Sequence, residues 1–222
     1  MSSNKDLSIV DLSHPLDPNK ITIYPGDPTL SCCPSSTVEK DGYSVTSISL
    51  GSHTGTHIDA PSHFFASGQT IDKVSLNTLI GPALIIDLTR KSANEKITWE
   101  DDLAPFSDRM KKGVILLLWT GWSDFWGTQK YFEYPYLDKK AAEQILRTGI
   151  SVVGFDTLSP DQVDGPEGYG VHEVILGSGG IIAENLTNLK ELEGSDIMVS
   201  LIPLNIVGCD GAPVRAFGWK TS

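Results

Sequence analysis

The sequence predicts a mixed α/β fold that lacks a simple doubly wound order, and three observations predict it. Apolar runs of strand length, "GPALIIDLT", "GVILLLWTGW" and "ISVVGFDTL", recur through the middle of the chain, each ending in polar or glycine residues. Helical patterns lie between and after them, "LDKKAAEQILRTG" being the clearest. The N-terminal part is strand-rich instead. Unbroken apolar runs of this length suit strands buried on both faces.

Taken in order, "LSIVDLS" alternates as a half-buried strand does, and "ITIYPGDP" reads as a short strand running into a Pro-Gly turn. "YSVTSISLGSH" is rich in β-branched residues and reads as a strand. The three apolar strands follow. Over 137–149 the helical pattern places Leu137, Ala141, Ile145 and Leu146 on one face, with Asp138 near the start and Gly149 as a stop. "GVHEVILGSGG" is a short helix ended by glycines, and "LTNLKELEG" is a second, weaker one. "SDIMVSLIPLNI" returns to strand, then comes the turn "CDGAP" and "VRAF". The aromatic stretch "WSDFWGTQKYFEYPYL" either frames an apolar ligand pocket or packs as a loop on the core.

Composition narrows the class. A chain of 222 residues with 40% hydrophobic residues is expected to fold as one domain spanning 1–222. The net charge of −11 argues against nucleic acid as a partner, since phosphate binding needs a basic patch. No apolar run approaches the roughly 20 residues that span a bilayer, and the first residues hold no apolar leader, so neither membrane nor secretion is expected. "GSGG" at Gly177–Gly180 has the wrong spacing for a phosphate loop and lacks its lysine. Cys32, Cys33 and Cys209 form no disulfide framework and no CxxC pair, and read as reduced thiols in a cytosolic protein.

The stretch "GSHTGTHIDAPSHF" holds three of the five histidines of the chain. His53, His57, Asp59 and His63 all fall on odd numbers. A helix is opposed by Thr54, Thr56 and Ile58, which are β-branched, by Gly55 and by Pro61. On a strand the odd positions share one face. An ideal strand would separate the Cα atoms of His53 and His57 by about 13 Å, too far for easy convergence on one ion. Either the strand bends at Gly51 or Gly55, or the ligands serve two neighbouring metals, and both outcomes favour a metal site that Asp59 bridges. A single histidine on a strand is ordinarily a satisfied core or surface residue. Three of them with an aspartate on one parity are better explained by metal or acid/base chemistry. His14, before Pro15, reads as a turn residue.

These residues resemble a known family. "HTGTHIDAPSHF" is similar to the HxGTHxDxPxH signature of the cyclase family of metal-dependent hydrolases, which includes bacterial kynurenine formamidases and isatin hydrolases. The likeness runs along almost the whole chain, through "DLSHPLDPNKITIYPGDP", "LLLWTGW", "VVGFDTLSPD", "VHEVILGSGGIIAENL" and "IPLNIVGCDGAPVRAF". It implies a barrel-like swivelling β/β/α domain and a homodimer or homotetramer in the cytoplasm. It also implies two divalent metal ions. His53 and His57 would bind one, His172 the other, with Asp59 and Glu184 bridging. His63 would be the proton donor and acceptor. Tyr24 stands where kynurenine formamidases carry a substrate-stacking tryptophan, and keeps an aromatic surface there. Nitrogen and oxygen ligands suit zinc or manganese alike.

The expected reaction is attack of metal-activated water on the carbonyl of a small aromatic amide or cyclic amide, with His63 moving the proton. Opening of an isatin-like lactam, imide or lactone ring is the alternative within the enzyme class. A metal-binding relative without turnover is the alternative outside it.

Overall fold

The same apolar runs build the centre of the computed structural model, which describes residues 8–221 apart from Glu167, Glu193 and Ser195. Its strands begin with β1 (Ile9–Asp11), β2 (Ser31–Ser36), β3 (Val45–Ser49) and β4 (His57–Asp59). Next come β5 (Ile80–Asp87), β6 (Lys96–Ile97), β7 (Ile115–Trp119), β8 (Tyr136–Leu137) and β9 (Val152–Phe155). The last four are β10 (Ile181–Glu184), β11 (Ile197–Ser200), β12 (Gly211–Pro213) and β13 (Phe217–Lys220). The α-helices are α1 (Val38–Asp41), α2 (Leu76–Leu79), α3 (Lys139–Arg147) and α4 (Gly170–Gly177).

Nine strands form one mixed sheet in the order β1-β13-β11-β5-β7-β9-β10-β4-β12. Its four central strands, β5, β7, β9 and β10, are mutually parallel. Antiparallel strands flank them on both sides. This is the mixed α/β class the sequence predicts. In β7, Leu116 and Leu118 pack with α3 and α4 on one face, while Ile115 and Leu117 join the core on the other. Burial on both faces is why β7 and β9 carry no polar alternation, whereas β5 keeps exposed or half-buried residues at Ile80, Pro82, Ala83, Ile85 and Asp87. Gly154 of β9 makes the packing possible, because a Cβ there would lie 2.6 Å from Leu117 Cδ2.

Local expectations fail in four places. Residues 21–24 form no strand, although the turn after them is present. The strand expected through the histidine cluster begins only at His57. The weak helix expected over 186–194 is, among the described residues, a single 3-10 turn at Leu189–Leu192. "IIAENL", given no element from sequence, supplies the buried strand β10. The aromatic stretch does not frame the main cavity. Trp122, Tyr131 and Tyr134 form a separate core cluster, and Trp126 stacks on His14 with ring centroids 4.2 Å apart. No helix among the described residues is long and apolar enough to cross a membrane.

Candidate metal centre and its cavity

Strand β4 is the anchor of the site. His57 and Asp59 point to the same side of it, and both are buried. Its two neighbours fix what stands beside them. In the pairing with β10, Glu184 lies opposite His57, and in the pairing with β12, Gly211 lies opposite Asp59. Register alone therefore brings a carboxylate from 127 residues away to His57.

His53 reaches the same place by a turn. Gly55 has φ +68°, in the left-handed region where a Cβ is disfavoured, and a Cβ there would also meet Leu16 Cδ2 at 2.5 Å. The bend returns His53 toward β4, so that the His53 and His57 rings lie 5.0 Å apart at their centroids. Of the two ways past the strand-length difficulty, the chain takes the bend at Gly55. Gly211 leaves room for the returning ring, since a Cβ on it would lie 3.0 Å from His53 Cε1.

His172 enters from α4. The Asp161 carboxylate accepts the backbone N–H groups of Val171 and His172 at 2.8 and 3.1 Å and the His172 ring Nδ1–H at 2.6 Å. It thus caps the helix start and sets the ring together. His57 is held in the same way, its Nδ1–H donating to the Gly55 carbonyl at 2.9 Å. That carbonyl is held in turn by the Asn185 amide at 3.0 Å. Both rings are left with Nε2 facing inward.

What faces inward lacks hydrogen-bond partners. His57 Nε2, Asp59 Oδ2 and Glu184 Oε1 are buried and accept or donate no hydrogen bond among the described residues. They nonetheless crowd together: His57 Nε2 is 3.2 Å from both Asp59 Oδ1 and Glu184 Oε2. His172 Nε2 is 3.6 Å from Asp59 Oδ2 and 3.4 Å from Glu184 Oε1. Buried lone pairs converging without hydrogens between them fit a divalent cation, and the nitrogen and oxygen set contains no thiolate.

The proton affinities point the same way. Burial pushes His57 and His53 down, but the negative charge of Asp59, helped at His53 by the Asp210 and Asp59 hydrogen bonds, outweighs burial and carries them up to about 10 and about 9. His172 is also raised against its burial, chiefly by the Asp161 hydrogen bond. The carboxylates demand positive charge, which in the absence of a cation comes from protons. Metal binding displaces such protons. His63 differs. Burial lowers its affinity for a proton, and the nearby Asp59 and Asp210 carboxylates do not restore it.

His63 closes the 3-10 turn Pro61–His63 just beyond β4, half-exposed beside the cluster. Its centroid is 4.0 Å from that of His53 and 5.9 Å from that of His172. Above the cluster opens a cavity of about 420 Å³. Its aromatic wall comprises Tyr24, Phe64 and Tyr169; the Tyr24 and Tyr169 hydroxyls lie 3.4 Å apart, and Phe64 stacks on His172. All seven residues singled out from sequence line this one cavity. Sequence reasoning missed Asp161 and Asp210. Asp210 lies in the turn "CDGAP", an ordinary-looking aspartate, and its Oδ2 is 2.8 Å from His53 Nε2. Both residues fall in stretches that carry the family likeness, "VVGFDTLSPD" and "IPLNIVGCDGAPVRAF", but neither is given a role there.

Comparison with known proteins shows the family and the fold. The family model described as "Putative cyclase" matches residues 10–162. A kynurenine formamidase of Geobacillus thermodenitrificans is 34% identical over 211 residues, covering 93% of this chain and 95% of the relative. Isatin hydrolase A from Labrenzia aggregata superposes with a TM-score of 0.88 at 24% identity, covering 97% of this chain and 94% of that one. A predicted metal-dependent hydrolase from Bacillus stearothermophilus gives 0.76 at 28% identity, covering 96% and 98%.

Proposed function

This chain belongs to the cyclase family and is a metal-dependent hydrolase of non-peptide C–N bonds, and we propose that it cleaves aryl formamides, with N-formylkynurenine as the reference substrate. The observation that carries this reading is the set of buried, unpartnered nitrogen and oxygen atoms at the floor of an aromatic-walled cavity. His53, His57, His172, Asp59 and Glu184 would hold two divalent cations, zinc or manganese, because two carboxylates and three imidazoles exceed one tetrahedral site. Cations held there acidify water and polarise a carbonyl oxygen.

The remaining steps belong to the protein. Tyr24, Phe64 and Tyr169 clamp the aryl ring and exclude water from it. His63, its proton affinity lowered and its ring at the edge of the cluster, takes a proton from the attacking water and returns it to the departing aniline nitrogen. Asp27 also lines the cavity, and the lining residues among those described include no lysine or arginine. That charge suits the ammonium group of an amino-acid substrate.

The test measures bound metal and turnover together. About two divalent ions per chain are expected by elemental analysis, with activity on N-formylkynurenine lost to chelator and restored by zinc or manganese. Asp27→Asn should raise KM for N-formylkynurenine roughly 2- to 5-fold, the worth of an exposed ion pair, and leave uncharged formanilide unchanged. A protein that takes up no metal and stays inactive overturns the reading. Turnover of isatin without turnover of either formamide replaces it with lactam opening.

We also place the working enzyme in the cytoplasm as a homodimer or homotetramer of single-domain chains. Its three thiols are free, which suits a reducing compartment. The hairpin β2–β3 stands almost wholly exposed and carries Val45 and Ile48. A two-stranded hairpin is marginal on its own and gains from a partner. Light scattering at micromolar concentration should return at least twice the chain mass; a monomer contradicts the assembly.

A further inference from the structure

We infer that Asp210 is the positioning residue of this centre, one carboxylate oxygen that fixes the tautomers of both His53 and His63. Asp210 Oδ2 lies 2.8 Å from His53 Nε2 and 3.1 Å from His63 Nδ1. An ionised carboxylate only accepts hydrogen bonds, so the nitrogen facing it on each ring carries the hydrogen. On His53 the proton that a cation would displace is therefore the one on Nδ1, the atom 2.7 Å from Asp59 Oδ1, and the lone pair it leaves faces the cluster. His63 keeps its Nε2 lone pair, which makes Nε2 the atom that receives the proton. This role rests on the hydrolase reading above.

Asp210 is itself held firmly. Its backbone carbonyl accepts the Ala60 N–H at 2.8 Å, tying it to the chain between Asp59 and His63, and the preceding Cys209 carbonyl accepts the Ile71 N–H at 2.8 Å. Gly55 and Asp161 each set one ring of the cluster. Asp210 sets two, one reading as a ligand and one as the proton carrier, and so fixes the distance between them. With centroids 4.0 Å apart, those rings cannot turn independently while they share one acceptor.

The test compares the zinc-loaded wild type with Asp210→Asn and Asp210→Glu. Long-range ¹H–¹⁵N spectra of histidine-labelled protein, with His63 assigned by its loss in His63→Gln, report the tautomer without any substrate. The wild type should show His63 as the Nδ1–H form. Asp210→Asn should mix the two forms and lower kcat about 10- to 100-fold, as loss of a supporting partner does, with KM within about twofold and metal retained in excess zinc. Asp210→Glu should recover part of the lost kcat. An Nε2–H form of His63 in the wild type overturns the inference even if a variant fails to fold. So does complete loss of metal in Asp210→Asn, which would make Asp210 a ligand. If no formamide is turned over, the tautomer and metal readouts still decide, separating this inference from the assignment of substrate.

Discussion

Asp59→Ala is expected to remove the bound metal and bring hydrolysis down to the uncatalysed background. Asp59 is fully buried between three imidazoles, with Oδ1 at 2.7 Å from His53 and 3.2 Å from His57 and Oδ2 at 3.6 Å from His172. Among the described residues, no other carboxylate forms an ion pair with all three. Without it, His57 keeps only Glu184 as a carboxylate partner, while His53 leans on Asp210 and His172 on Asp161 and Glu184 at the edges of the cluster. Stability should suffer as well. Taking one partner from a buried ionic cluster costs about 3–5 kcal/mol, because the charges left behind have no compensation.

The pH dependence of the metal-free protein carries the same signature. His53 and His57 bind protons more tightly folded than unfolded, with affinities up to about 9 and about 10. Their contribution is complete below the unfolded value near 6.5 and is lost as pH rises through 9 to 10. Thermal unfolding of metal-free wild type should therefore fall over that window, and the fall should be shallower in Asp59→Ala. A variant that still carries two ions per chain would refute the central place given to Asp59.

His63→Ala should leave metal content near wild type while turnover drops about 10²–10⁴-fold, the usual worth of a positioned acid/base group. The geometry makes this a demanding test, because a His63 ring nitrogen, an Asp59 oxygen and a His172 nitrogen lie within 4.8 Å of one another. Three observations favour the proton carrier over the ligand. His63 is half-exposed where His57 and His172 are buried, its proton affinity is lowered where theirs are raised by the carboxylates, and it stands beyond Pro61 on a separate 3-10 turn. Metal content and kcat are measured for both variants at one zinc concentration. Metal loss as complete as in Asp59→Ala would make His63 a ligand. Full activity would move the proton's path elsewhere.

Much of this was legible in the chain because it is local. The apolar runs at 113–122 and 150–158 mark strands buried on both faces, and β7 and β9 lie within them. The run at 81–89 overlaps β5, which starts at Ile80 and alternates buried with exposed or half-buried residues. Asp138 and Gly149 bracket α3 because capping and stopping act over one turn. Glycine, proline and β-branched residues around His57 exclude a helix there, and family likeness extended the site to His172 and Glu184.

What sequence by itself determined, then, was the class of fold, the cluster His53–His63 and the choice it posed between a bend at Gly51 or Gly55 and ligands that serve two metals. The tertiary structure decided which bend, by packing Leu16 where only a glycine at 55 leaves room. It decided that Glu184 stands opposite His57, through the register of β10 on β4. It also decided that Asp161 and Asp210 hold the rings from behind. The reason is physical. Propensity, capping and alternation act between residues a few positions apart, so a single chain displays them. Convergence of side chains more than 100 residues apart depends on strand order and register, and those are set by how the two faces of the sheet bury their apolar residues together.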